Sequence, residues 1–329
     1  MTGAGTGRRR IGLTLVAVAV ASLITADRMG ADESTWSSAW SSPVNLGANV
    51  NSPSSETEVA ITHSGLSLYF VSDAPDGGLT RDIWVSRRTS ADAVWGASRK
   101  LGPPINTTPS PEFSPNFSPD DRWMFFPSGR PGGLGGFDIY VSRRADVTDD
   151  FGWEPPVNLG PSINSPAREA DPFYFVDPDT GEATLYFISN LLGTYDIHQS
   201  TQNADGSFRN AVLNKELSTA AYNDQRMTIR SDGLEIIFVS NRPGGLGGLD
   251  PWVSTRRTTH EPWTEPVNLG PPVNTAVDDR SPSLSTDGRT LFFSSDRPGG
   301  FGAGDLWQTT RRPERACGQF EASQRIKPC

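Results

Sequence analysis

The stretch that decides the fold is Ser281–Arg312, SPSLSTDGRTLFFSSDRPGGFGAGDLWQTTRR. It opens with a short run ending at Asp287-Gly288, where Gly tolerates the positive φ of a tight hairpin. A β-branched and aromatic run, LFFSS, follows as a second strand. A Gly-rich loop then leads to Asp305 and a third strand, DLWQT. Earlier copies stand at RWMFFPSGRPGGLGGFDIYVSRR and LEIIFVSNRPGGLGGLDPWVSTRR, with shorter ones at LSLYFVSD and ATLYFISN. The matching turns are Ser64-Gly65, Asp120-Asp121, Thr180-Gly181 and Asp232-Gly233.

A second recurring segment lies between these copies: WSSPVNLGANVN from Trp40, WGASRKLGPPIN from Trp95, WEPPVNLGPSIN from Trp153, FRNAVLNKELST from Phe208 and WTEPVNLGPPVN from Trp263. It supplies a fourth, outer strand. Four short strands in a unit of about 55 residues make one blade, and five units fall within the usual range of a propeller. The class predicted is all-β: a five-bladed β-propeller of four-stranded blades, with repeats near 40–94, 95–152, 153–207, 208–262 and 263–312. The first unit opens with an outer-strand segment and the last stops after its third strand. The N-terminal strand therefore completes the last blade and removes two open sheet edges. The alternative is an open solenoid of five units.

SPNFSPDDRWMFF, SPSLSTDGRTLFF and RSDGLEIIFVSNRPGG resemble the WD40-like repeat of TolB-like propellers, in the variant found beside OmpA-like modules. The resemblance spans about 40–312 and implies an exported binding platform without a catalytic motif. No OmpA-like module follows, so cell-wall binding does not carry over. Repeat 3 reads NLLGTYD, and repeat 1 DAPDGGLTRD, where others have the Arg-Pro-Gly-Gly loop.

Residues 1–26 read as a signal peptide: Arg8, Arg9 and Arg10 precede an apolar run that ends near Ala26. The rival is an uncleaved anchor, against which the run is short for a spanning helix. Residues 27–39 read as a linker and 313–329 as a tail. Export to the periplasm or beyond is the expected location, with membrane contact only if the leader stays attached. Cys317 and Cys329 are the two cysteines and form a disulfide candidate in an oxidising compartment; two free thiols are the other reading. The net charge of −9 excludes a nucleic-acid partner, which selects a basic face.

One carboxylate recurs near the start of each first strand: Glu56, Glu112, Glu169, Asp224 and Asp279. If these segments are innermost, the five encircle a channel mouth and form a candidate binding ring. Neighbouring charges about 10 Å apart would repel by roughly 1.7 kcal/mol at an effective dielectric near 20, about 8 kcal/mol for the ring. The neutraliser is then Arg130, Arg242 or Arg297 of the Gly-rich loops, backbone N–H donors from the next blade, or a bound cation, for which oxygen ligands suit Ca²⁺. No other cofactor is expected. A second series, Asp82, Asp138, Asp196, Asp250 and Asp305, follows the Gly-rich loops and reads as structural, each Asp bonding its own loop. The aromatics Trp40, Trp95, Trp153, Phe208 and Trp263 read as packing between blades. His63, His198 and His260 show no metal-ligand spacing.

The leading expectation is a binding or scaffolding module for an envelope protein, peptide or glycan. The alternative is a five-bladed glycoside hydrolase using inner-strand carboxylates, since two acids about 5–9.5 Å apart suffice.

Overall fold

The computed structural model describes residues 40–73 and 81–311. The leader, the linker and the tail with Cys317 and Cys329 lie outside the described residues. The first strand, β1 (Val44–Asn45), belongs to the last blade. Blade 1 contains β2 (Glu56–Ile61), β3 (Ser67–Ser72), β4 (Asp82–Arg87) and β5 (Arg99–Lys100). Blade 2 contains β6 (Asn116–Phe117), β7 (Trp123–Ser128), β8 (Asp138–Arg143) and β9 (Val157–Asn158). Blade 3 contains β10 (Glu169–Val176), β11 (Ala183–Ser189), β12 (Asp196–Thr201) and β13 (Val212–Leu213). Blade 4 contains β14 (Asp224–Ile229), β15 (Glu235–Ser240), β16 (Asp250–Thr255) and β17 (Val267–Asn268). Blade 5 contains β18 (Asp279–Leu284), β19 (Thr290–Ser295) and β20 (Asp305–Thr310), and β1 pairs with β20 to finish it.

Every sheet is an antiparallel meander, and the inner strands β2, β6, β10, β14 and β18 pack in a ring. The hairpin between first and second strands turns on Gly65, Gly181, Gly233 and Gly288, all at positive φ. Blade 2 has Asp121 there, at φ 56°, and the residue returns something for its strain. Its two carboxylate oxygens accept the His63 and Ser64 amides at 2.7 and 3.0 Å, tying blade 2 to blade 1.

Four blades share a second tie. Arg88, Arg144, Arg256 and Arg311 each donate Nε to the carbonyl of residue 65, 121, 233 or 288 in their own hairpin turn. Each also stacks on the outer-segment Trp, namely Trp95, Trp153, Trp263 or Trp40, at 4.1–4.6 Å from the ring centroid. The recurring Trp therefore packs on an arginine as well as on the neighbouring core. Blade 3 has Gln202 and Phe208 instead and lacks the tie.

Candidate functional site

The five repeating carboxylates stand at or just before the inner strands, but they do not line an open mouth. Glu56, Glu112, Glu169, Asp224 and Asp279 are at most 1 % exposed, each wrapped by donors of its own blade. Asp279 accepts the Thr275 amide at 2.6 Å, the Thr275 hydroxyl at 2.8 Å, the Ser295 hydroxyl at 2.6 Å and Arg297 Nη2 at 2.7 Å. Glu112 and Asp224 repeat this with Thr107, Ser128 and Arg130, and with Thr219, Ser240 and Arg242. Glu56 and Glu169 take Ser52 and Ser72, and Ser165 and Ser189. Burial, outweighing these bonds, pushes the carboxyls of Glu56 and Glu112 up. The ring expected at a channel mouth is thus a set of internal pins joining the incoming loop, the inner strand and the second strand.

The loop aspartates bond their own loops where the Gly-rich form is present. Asp138 accepts the Leu134 and Gly135 amides, Asp250 those of Leu246 and Gly247, and Asp305 those of Phe301 and Gly302. Asp82 pairs instead with Lys100 at 2.7 Å, and Asp196 accepts from Thr194.

The residues that converge on the axis lie two positions further on: Glu58, Ser114, Asp171, Arg226 and Ser281. All five have positive φ, between 40° and 58°, and in four of the inner strands the ladder register shifts at this point. A bulge of this kind re-aims one side chain out of the alternating pattern. Here it does so at the same level in four blades, and in blade 2 Ser114 holds the matching position just before β6. The five then bond across blades. Glu58 Oε2 accepts the Ser114 amide at 2.9 Å, and the Ser114 hydroxyl donates to Asp171 Oδ1 at 2.5 Å. Arg226 Nη1 stands 3.5 Å from Asp171, and its Nη2 donates to the Val59 carbonyl at 3.0 Å. The Glu58 amide donates to the Ser281 hydroxyl at 3.2 Å. On the loop side Arg81 Nη2 reaches Glu58 at 2.8 Å.

Ser114 bridges the two acids, its amide donating to Glu58 and its hydroxyl to Asp171. Burial pushes the Asp171 carboxyl up, with Glu58 adding to the rise against the pull of Arg226. Below the ring the axis is nearly shut. The void beside Asp171, Arg226, Pro172 and Pro282 measures only about 10 Å³, at most one water. Among the described residues no three His, Cys, Asp or Glu side chains gather as a metal site. Sequence reasoning followed the repeated carboxylate and passed over its neighbour. The signal available was the opposite one: a position reading Glu, Ser, Asp, Arg and Ser inside otherwise matching repeats.

No family model and no curated protein matches the chain. Solved structures do. The catalytic domain of a Coprinopsis cinerea GH62 α-L-arabinofuranosidase is 14 % identical, with a TM-score of 0.55 over 83 % of this chain and 96 % of that one. The native arabinanase of Bacillus subtilis is 12 % identical, with a TM-score of 0.56 over 80 % and 96 %. A putative TolB from Agrobacterium tumefaciens is 17 % identical, with a TM-score of 0.41 over 78 % and 74 %. At these identities the likeness is one of fold, and the class it defines is the five-bladed β-propeller. The narrower TolB-like resemblance is not carried by a match this remote. The expectation of a binding or scaffolding module is corrected by the same findings: most of the similar propellers are described as glycoside hydrolases, arabinofuranosidases or arabinanases, which favours the hydrolase alternative.

Proposed function

We propose that this propeller is a glycoside hydrolase acting on a terminal or branching sugar, with Glu58 and Asp171 as its acid pair. The observation that supports the reading is their convergence on the axis from different blades, in unlike surroundings, with Ser114 between them. Paired acids serve hydrolysis when their environments differ, one holding a proton while the other accepts one. Asp171, buried and raised, is the proton donor to the departing glycosidic oxygen. Glu58, receiving an amide and a guanidinium, is the acceptor that takes a proton from the attacking water. Side-chain exposures of 15 % for Glu58 and 11 % for Asp171 suit a chain end or side branch better than the interior of a polymer. The arabinofuranosidase and arabinanase among the similar structures make arabinose-containing glycans the first substrates to try.

The test is release of reducing sugar from arabinan, arabinoxylan and chromogenic α-L-arabinofuranosides by wild type, Glu58→Gln and Asp171→Asn. Loss of turnover of about 10²-fold or more is expected in both variants, each still unfolding in a single cooperative transition. No release from any of these glycans, or release unaffected by Glu58→Gln, overturns the reading.

A further inference from the structure

We propose that the cavity at the opposite end of the axis is a second saccharide site, which holds a neutral sugar ring against Trp123. The ligand class rests on the proposed action on glycans; the site itself rests on geometry independent of Glu58 and Asp171. Hairpin-turn residues of blades 1, 2, 4 and 5 and the last residues of β10 line a cavity of about 850 Å³ there, within the range of small-molecule sites. Phe173, two residues beyond Asp171, forms its inner end, and the nearly closed part of the axis lies between it and the acid pair.

Its wall is aromatic where the repeat is not. The residue five before the last serine of the second strand is Ser67, Thr184, Glu235 and Thr290 in four blades, and Trp123 in blade 2. Along the inner strands, the position of Phe173 reads Ala60, Asn116, Thr228 and Ser283, and that of Phe175 reads Thr62, Ser118, Arg230 and Ser285. All three departures line this one cavity. Phe175 is also core, but Trp123 remains 40 % exposed. Arg143 stands 5.8 Å from its ring centroid. An exposed indole at a position filled elsewhere by polar residues costs solvation without core packing in return, and an apolar sugar face would offset that cost.

Polar groups complete the mouth. Turn-to-turn bonds fix its rim: Ser231 donates to the Thr286 carbonyl, Thr286 to the His63 carbonyl, and the His63 amide to Asp121. Among the described residues His63 Nδ1 is buried without a hydrogen-bond partner, 3.7 Å from Asp121. Asp120 is exposed, and among the described residues its Oδ1 is the oxygen engaged, by the Ser118 hydroxyl and the Arg122 amide. Its Oδ2 is left as an acceptor for a sugar hydroxyl. The two aspartates repel a uronate, so the sugar is neutral.

The experiment is calorimetric titration of full-length Glu58→Gln protein, which removes turnover, with a short arabino-oligosaccharide, an oligogalacturonate and an oligolysine. Saturable binding of the neutral oligosaccharide is expected, weakened about tenfold by adding Trp123→Ala and also weakened by Asp120→Asn. In the wild-type background, Trp123→Ala should leave hydrolysis of a chromogenic monosaccharide unchanged. Binding that survives Trp123→Ala, absence of saturable binding, or preference for the charged oligomers overturns the proposal. A protein that binds but never hydrolyses would instead refute only the assignment of Glu58 and Asp171.

Discussion

Arg311→Leu should be among the most damaging single changes at the seam that closes the ring. Arg311 is 8 % exposed at its side chain and forms a two-pronged pair with Glu235, at 2.7 and 2.9 Å, across the boundary between blades 5 and 4. Its Nε bonds the Gly288 carbonyl at 2.7 Å, and its guanidinium lies 4.6 Å from the centre of the Trp40 ring on the segment that leads into β1. Glu235 is fully buried, and the change leaves it with Arg230 at 3.5 Å as its remaining cation. Breaking one side of a buried pair costs about 3–5 kcal/mol, because the other charge stays buried. For a chain of this size that lowers the thermal midpoint by roughly 6–10 °C. Chemical denaturation followed by tryptophan fluorescence gives the free energy directly. Replacing both partners, in Glu235→Leu with Arg311→Leu, should recover most of the loss, since an apolar pair of similar volume carries no stranded charge. A single-variant cost under about 1 kcal/mol, or a double variant as unstable as the sum of the two singles, would refute the assignment of this pair as a blade tie.

Two further outcomes follow from the same geometry. Gly302→Ala should destabilise the seam between blades 5 and 1 by about 3 kcal/mol, as overpacking against rigid backbone does: a Cβ there would collide with the Ser54 carbonyl oxygen and crowd that of Ser52 at 2.7 Å. Gly47→Ala, with open space around it but φ at +80°, should cost only about 1 kcal/mol of backbone strain; equal midpoints for the two variants would contradict the packing. The second outcome concerns pH. Asp171 has its carboxyl raised in the folded state, so its favourable contribution is complete below the ordinary carboxylate range and is lost as pH rises through the folded value. Thermal midpoints of wild type and Asp171→Asn, measured between about pH 4 and 8, should therefore drift in favour of the variant as pH increases. A difference independent of pH, or drifting the other way, would mean that Asp171 is not raised.

The chain alone determined the blade count, the strand order within each blade and the closure by its own N-terminal segment. Those features follow from turn residues and alternation repeated at a fixed period, which are local and survive in one dimension. Repetition is also what misled the reading of function. Glu56 and its four counterparts recur because each blade must fasten its own loop, and a residue needed identically five times is a structural pin. The proposed acid pair lies instead where the symmetry is broken. Glu58, Asp171 and Arg226 meet only because the bulged inner strands β2, β10 and β14 turn them onto one axis. Trp123, Phe173 and Phe175 meet only because the ring sets blade 2 beside blade 3. Sequence spacing records neither meeting, because a contact across blades depends on how the sheets pack around the axis, and that is decided by the closed tertiary structure.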